Sequence, residues 1–376
     1  MHVAVLGAGY AGLGLARRLE DSLPTDAELT LVNDGPDHVL THEIHRAIRR
    51  PAVEDAIRVP LAELLDRTEL VTTPVETVDP ETGAVELADG ETLTYDYGAV
   101  TFGSGTAYYG IDGLREHAHP LKTLDDAAAI RADALDTIDA GGRVVVGGAG
   151  LSGIQVAGEL AALAREEGAT VPDDVSITLV EQRETVAPNF PANFQRAVRE
   201  ALIDRGVEIQ TTTTVEAVDD ETVVTDGQTL SYDTLVWAGG IAGRPPTDGE
   251  RPTVRADLQL TDRTLAFGDA ARVVDADGEP VPASASAAIR EAKTAATNLG
   301  RLVDGGDDGF APRLDRYRFD VPGWLVSVGD GAVAQLGPTV LTGAAATAAK
   351  TSVGAGYLGS VGATQRAVEL AEEELG

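Results

Sequence analysis

The sequence predicts an α/β protein built from two copies of one βαβ module. Two short apolar runs, His2–Leu6 and Arg143–Val146, are each followed by a glycine turn, an amphipathic stretch and a second apolar run. Downstream, Thr73–Gly105 and Thr213–Ile241 share the same series: VE-x-VD, then ET, then DG-x-TL-x-YD, then a strand ending in closely spaced glycines. Asp-Gly pairs between alternating residues read as β-hairpins in both copies. Four features in the same order twice mark a duplication rather than chance similarity.

The elements follow in order. The first module predicts a strand at 2–6, a helix at about 11–19 and a strand at 28–32. In the second, a strand spans 143–146, a helix about 154–164 and a strand 175–180. After both come a strand at 264–267 and a long helix at about 283–302. A glycine- and aspartate-rich break covers Gly305–Gly309. The tail predicts a hairpin around Trp324–Leu336, a small-residue helix over Thr339–Ala349 packed against the first module, and a final acidic helix over Thr364–Leu375.

The glycine turns are the chemical signal. Gly7-Ala8-Gly9-Tyr10-Ala11-Gly12 is a G-x-G-x-x-G between a strand and a helix. The first glycine permits the turn, the second admits a pyrophosphate to the backbone, and the third lets helix and strand approach. The helix N-terminus offers free N–H groups to the phosphates. Asn33, with Asp34 as fallback, ends the second strand where a ribose-binding residue is expected. Gly148-Ala149-Gly150-Leu151-Ser152-Gly153 repeats the motif, with Glu181 at the matching strand end. A carboxylate there accepts ribose hydroxyls and repels a 2′-phosphate, which favours NADH over NADPH. The fold expectation is therefore two Rossmann-like dinucleotide-binding domains, each with a β-hairpin insert, plus a small C-terminal region. Gly268-Asp269 follows a third strand; alone, Asp269 reads as a capping or turn residue.

Composition narrows the setting. Sixty-one acidic against 29 basic residues give a net charge of -32, and the only lysines are Lys122, Lys293 and Lys350. Self-repulsion of this size calls for high salt, so the protein reads as halophilic and cytoplasmic. Nucleic acid is excluded as a partner because no basic footprint exists for it. No targeting segment precedes the first strand and no stretch reads as a membrane span. The absence of cysteine removes disulfides, thiolate metal sites and catalytic dithiols. His42-Glu43-x-His45 is not the zinc spacing, so no metal is expected. His42 and His45 read either as proton donors, with pKa values near neutrality, or as surface or capping histidines.

VAVLGAGYAGL, VTFGSG, VVVGGAGLSGIQVAGEL, LVWAGG and LAFGDAA together resemble the FAD-dependent pyridine nucleotide-disulfide oxidoreductases, a glutathione-reductase-like architecture. Within that superfamily the chain is similar to type II NADH dehydrogenases and sulfide:quinone reductases. The resemblance implies that Gly7, Gly9, Tyr10, Ala11, Gly12, Gly268 and Asp269 hold FAD, with Gly103 lining the same site. It implies that Gly148, Gly150, Leu151, Ser152, Gly153, Glu181 and Gly239 hold NADH. It divides the chain into a discontinuous FAD domain (1–118 and 241–309), an NAD(H) domain (119–240) and a C-terminal region (310–376) for acceptor or membrane contact. Without cysteine, the thiol branches drop out. What is left is non-pumping electron passage from NADH through flavin to a quinone. The alternatives are a soluble reductase of a protein acceptor or oxygen, and a non-enzymatic redox sensor.

Three departures bear on the acceptor. Gln155 replaces the family's usual glutamate near the flavin, and can hydrogen-bond but not carry a proton as a carboxylate does. Ser286 and Arg290 replace the two glutamines of the family's quinone-site helix. The segment Thr41–Arg46, with His42 and His45, matches the loop that approaches the flavin. Peripheral contact with the inner face of the cell membrane and a homodimer stay open.

The charge makes a direct prediction. Thermal melts across a salt series should show a folded state that persists in molar salt and is lost below about 0.1 M, where charges interact over about 10 Å. A melting temperature independent of salt would contradict it.

Overall fold

The computed structural model describes residues 1–305 and 312–375, so from Gly306 onward the expected glycine-rich break lies outside the described residues. The framework elements, in chain order, are β1 (His2–Leu6), α1 (Tyr10–Ser22), β2 (Glu28–Val32), β3 (Glu69–Val71), β4 (Tyr97–Val100), α2 (Leu124–Ala140), β5 (Arg143–Gly147), α3 (Leu151–Glu166), β6 (Ser176–Val180), α4 (Ala192–Ile203), β7 (Glu208–Gln210), β8 (Thr234–Trp237), β9 (Thr264–Ala266), α5 (Ala285–Asp304), β10 (Gly323–Val328), β11 (Gly331–Leu336), β12 (Thr339–Thr342), α6 (Gly343–Ser360) and α7 (Thr364–Leu375). They divide into two compact units. One comprises Met1–Val39, Arg58–Gly105 and Ala242–Val321; the other comprises Leu40–Ile57, Thr106–Ile241 and Pro322–Gly376.

The first unit holds a five-stranded parallel sheet in the order β9-β4-β1-β2-β3. Val3, Ala4, Val5 and Leu6 are all fully buried, as expected of a central strand covered on both faces. Each larger side chain among them contributes about 1.5–3 kcal/mol by burial. Helix α1 packs on α5, where the small residues Gly14 and Ala292 let the two backbones approach.

The second unit repeats the plan with a four-stranded parallel sheet, β7-β6-β5-β8. Its order matches that of β3-β2-β1-β4, so the duplication read from sequence is a duplication of fold. Both predicted hairpin inserts are three-stranded antiparallel sheets, at 75–94 and 215–231. Each carries a register shift at the same place, Val75/Thr77 in one and Val215/Ala217 in the other. Each first turn is closed by an aspartate, Asp79 or Asp219, accepting from the threonine three residues on at 2.7 and 2.8 Å.

The structure departs from the sequence expectation in three places. Leu40–Ile57 leaves the first unit and belongs to the second, its roots clipped by the antiparallel pairing of Asp37–Val39 with Arg58–Pro60. The unit boundaries fall at 105/106 and 241/242, and the tail from Pro322 joins the second unit instead of standing apart. Thr339–Thr342 is a strand paired with β11, not the start of a helix. Its threonines, valine and leucine favour the pleat, and Gly337, at φ +54, makes the turn before it. The small-residue helix α6 begins after that strand and packs on the β10-β11-β12 sheet and α7 within the second unit.

The Leu40–Ile57 excursion carries charge into the interior. Glu43, His45, Arg46 and Arg49 are buried, as are Glu159 on α3 and Lys350 on α6. Arg49 donates through Nε to Glu159 Oε2 at 2.6 Å and through Nη1 to Glu166 Oε1 at 2.7 Å. Arg131 on α2 donates to the carbonyls of Ile48 and Arg49 at 2.9 and 2.8 Å. Burial pushes the Glu159 carboxyl upward in spite of Arg49, so the pair holds position more than it adds net stability.

Removing one partner therefore costs more than removing both. Arg49→Met should destabilise the protein by about 3 kcal/mol in denaturant unfolding, and adding Glu159→Met should recover part of that loss. A single variant within about 1 kcal/mol of wild type would show that the pair is not a strong constraint.

Candidate dinucleotide sites and a buried histidine cluster

Both glycine motifs sit where a parallel strand hands over to a helix. In the first, Gly7 has φ +104, and the Gly7 N–H donates to Val32 O at 2.7 Å. A Cβ on Gly12 would lie 1.7 Å from the Gly7 carbonyl oxygen. In the second, Gly148 has φ +93, its N–H donates to Val180 O at 2.8 Å, and a Cβ on Gly153 would lie 1.8 Å from Gly148 O. No side chain other than hydrogen tolerates either crossing.

The middle glycines behave differently. A Cβ on Gly9 or Gly150 would meet nothing within 4 Å, so each loop is open on its outer face. Neither N-cap, Gly9 nor Gly150, caps its helix with a side chain, so first-turn N–H groups of α1 and α3 stay available. An open loop with free N–H donors at a helix N-terminus fits a pyrophosphate. Tyr10 and Ala11 form the first turn of α1, and Leu151 and Ser152 that of α3.

The expected ribose residues do two jobs. Ala8 N–H donates to Asn33 Oδ1 at 3.0 Å, while Asn33 Nδ2 donates to Gly35 O at 2.8 Å. At the matching position Ala149 N–H donates to Glu181 Oε2 at 2.8 Å, and Arg183 N–H donates to Oε1 at 2.9 Å. Both side chains thus hold the loop at the strand ends. Glu181 keeps spare lone pairs on both oxygens and can still accept from a ribose; Asn33 keeps one N–H. Asp34 pairs with Arg244 at 3.3 Å on the surface. Arg183 is drawn away to Asn189 Oδ1 at 2.7 Å.

The Gly268-Asp269 loop is built from below. Gly268, at φ +66, donates its N–H to Glu291 Oε2 at 2.8 Å. Burial pushes the Glu291 carboxyl up to about 7; the Gly268 N–H acts against that shift and the charge of Asp269 adds to it. Ser104 Oγ donates to Asp269 Oδ2 at 2.9 Å, and Arg251 donates to the Asp269 and Ala271 carbonyls, both at 2.7 Å. Asp269 is thereby oriented, and Gly103, one residue before Ser104, is exposed with open space at its Cα. His38 is fully buried with Nδ1 at 2.9 Å from Ala8 O, so that nitrogen carries the proton, and Tyr10 meets its ring edge-on at 5.2 Å. Glu291, Ser104, Arg251 and His38 reach these loops from distant parts of the sequence, so no local motif marks them as supports.

Ser286 and Arg290 stand one turn apart on α5, exposed, with Arg290 Nε 3.4 Å from Ser286 Oγ. In the second unit, His45 and Gln155 converge on one hydroxyl: Ser327 Oγ lies 2.7 Å from His45 Nε2, and Gln155 Nε2 donates to it at 3.3 Å. The expectation that His45 titrates near neutrality is corrected. Burial, reinforced by the charge of Lys350, holds it well below the usual histidine range, so its ring is neutral at pH 7. His42 keeps partial exposure and lies 3.2 Å from Glu43 Oε1. Burial would raise Glu43, but the His42 contact and the charges of His42 and Lys350 outweigh it and hold the carboxyl far below its usual range. Gly239, at the end of β8, packs on the Trp237 ring.

Residues 1–292 match the family model described as pyridine nucleotide-disulphide oxidoreductase. The type II NADH:quinone oxidoreductase of Staphylococcus aureus is 28% identical over 333 residues, covering 81% of this chain and 83% of that protein. The Plasmodium falciparum NDH2 in complex with NADH superposes with a TM-score of 0.83 at 15% identity, over 99% of this chain and 97% of that one. The sulfide:quinone oxidoreductase of Aquifex aeolicus gives a TM-score of 0.80 at 19% identity, over 97% and 92%. The two structural likenesses support the two-sheet α/β architecture.

Glu291 gives the loop a pH signature. Its folded pKa, about 7, stands above the ordinary 4.5, so its stabilising contribution is complete below pH 4.5 and is lost as pH rises through 7. The shift corresponds to about 3 kcal/mol. Glu291→Gln keeps an acceptor for Gly268 N–H and cannot ionise. Denaturant unfolding should show wild type losing up to about 3 kcal/mol relative to this variant between pH 5 and pH 8, in the same salt.

Proposed function

Because the chain belongs to the pyridine nucleotide-disulphide oxidoreductase family, we propose that it passes electrons from NADH through bound FAD to a quinone, without thiols and without pumping protons. The observation that carries this reading is the doubled loop: two open glycine cradles, each tied at its strand end by Asn33 or Glu181, in a chain with no cysteine. The similarity to the S. aureus type II NADH:quinone oxidoreductase supports the choice of acceptor.

The residues divide the work by unit. In the first, the N–H groups of α1 behind the Gly7–Gly12 loop would hold the FAD pyrophosphate, and Asp269, steadied by Ser104, would accept a hydrogen bond from its hydroxyls. In the second, the Gly148–Gly153 loop receives the NADH pyrophosphate on α3. Glu181 accepts from the adenosine ribose and disfavours a 2′-phosphate; Arg183, tied to Asn189, does not offset it. FAD, when bound, supplies a two-electron carrier between nicotinamide and acceptor. Neutral His45 and Gln155, joined through Ser327, orient by hydrogen bonds. Proton delivery falls to His42, whose ring reaches solvent beside Glu43.

One observation favours a second reading. Ser286 and Arg290 put a hydroxyl and an exposed cation where the family's quinone-site helix has glutamines. A protein acceptor or oxygen suits that surface, and a soluble NADH reductase is the alternative.

Anaerobic mixing with NADH in molar salt should bleach the bound flavin, and a soluble quinone analogue should then restore it with turnover near the enzyme median of about 10 s⁻¹. Failure of NADH to bleach the flavin would overturn the proposal. Bleaching followed by turnover only with oxygen or a protein acceptor would select the second reading.

A further inference from the structure

We propose that Tyr109 is the positioning residue that packs on the nicotinamide half of the bound pyridine nucleotide; the proposal rests on the nucleotide reading of the second glycine motif. Tyr109 is strained and exposed at once. Its φ is +53, the left-handed region that non-glycine residues rarely enter. At 67% exposure it is the most exposed of the large apolar side chains among the described residues. A strained residue persists where its surroundings over-determine it, and such residues cluster at functional sites.

Backbone and ring contacts hold it in place. Ala107 N–H donates to Gly240 O at 3.1 Å, and Trp237 Nε1 donates back to Ala107 O at 2.8 Å. Ile111 N–H closes a turn onto Tyr108 O at 3.0 Å, and the Arg115 guanidinium lies 4.3 Å from the centre of the Tyr108 ring. Tyr109 Oη donates to Gly239 O at 3.3 Å. The hydroxyl pins the ring along the Gly239-Gly240 strand end. A Cβ on Gly240 would lie 2.0 Å from that hydroxyl, so glycine there is what admits the ring.

Sheet order says which half of the nucleotide meets this ring. In β7-β6-β5-β8, Glu181 follows β6 on one side of the central strand and Gly239 follows β8 on the other. The Gly148–Gly153 loop lies between them, close enough that a Cβ on Gly148 would sit 2.6 Å from Gly239 Cα. A dinucleotide bound across the carboxyl ends, with its adenosine ribose at Glu181 and its phosphates at α3, extends its other half toward β8. Tyr109 stands at that end. Its ring suits a flat heterocycle, and its π-face favours the cationic oxidised nicotinamide.

The test separates the two halves of the ligand on the FAD-loaded protein in molar salt, by calorimetric titration with NAD⁺ and with ADP-ribose, which lacks the nicotinamide. Tyr109→Ala should weaken NAD⁺ about tenfold, the size of one aromatic stacking contact, and leave ADP-ribose within about twofold. Tyr109→Phe, which keeps the ring, should hold NAD⁺ within about threefold of wild type. An unchanged NAD⁺ affinity in Tyr109→Ala overturns the assignment, as does equal weakening of both ligands, which marks a collapsed strand end. A wild-type protein that binds neither ligand overturns the nucleotide reading and this assignment with it.

Discussion

Where β1 passes into α1, the carbonyl oxygen of Gly7 occupies the place a side chain on Gly12 would need, and the same exclusion recurs between Gly148 and Gly153. Much else is arranged around these two contacts. They bring each helix down onto its strand, which aims the helix N-terminus at the carboxyl edge of the sheet. At that edge free N–H groups, a glycine-rich loop and a polar strand-end residue meet. Asn33 and Glu181 complete the geometry by accepting from Ala8 and Ala149, so the residues that would read a ribose also brace the loop that would read a phosphate. The two copies share the brace and differ in its charge.

The sheets and the two loops were legible because their signals are local. Apolar runs, glycine spacing and Asp-Gly turns lie within a few residues of what they specify. The duplicated inserts were legible for the same reason, but the aspartates that close their first turns, Asp79 and Asp219, were not. The Leu40–Ile57 excursion was not. In THEIHRAI the histidines read either as proton donors or as surface or capping residues, and nothing local marks Glu43, His45 and Arg46 as buried, because their partners come from elsewhere in the chain. The same distance hid the neutral state of His45, set by Lys350 and burial, and the support Glu291 gives to Gly268. Thr339–Thr342 was misread because small and β-branched residues in a mixed run do not declare a period.

The charge distribution has two faces. A net charge of -32 describes a surface adapted to screening, where single ion pairs such as Asp34–Arg244 contribute little. The interior of the second unit is different: Arg46, Arg49 and Lys350 are buried against Glu43 and Glu159. One of only three lysines in the sequence is spent there. Salt does not reach such a site, so its balance is set by placement alone. That explains why a protein with few cations keeps several of them out of solvent.

The pairing of His45 with Ser327 spans 282 residues of sequence. At ribosomal speeds of about 5–20 residues per second, roughly 15–55 s separate the synthesis of the two partners. During that interval the first sheet can close, but the Leu40–Ile57 segment carries ionised groups whose burial depends on chain not yet made. Each excursion between units adds another such debt of order. The growing polypeptide therefore matures last at a segment it made early, and a truncation near the carboxyl end would be felt first where Arg50 meets Glu373.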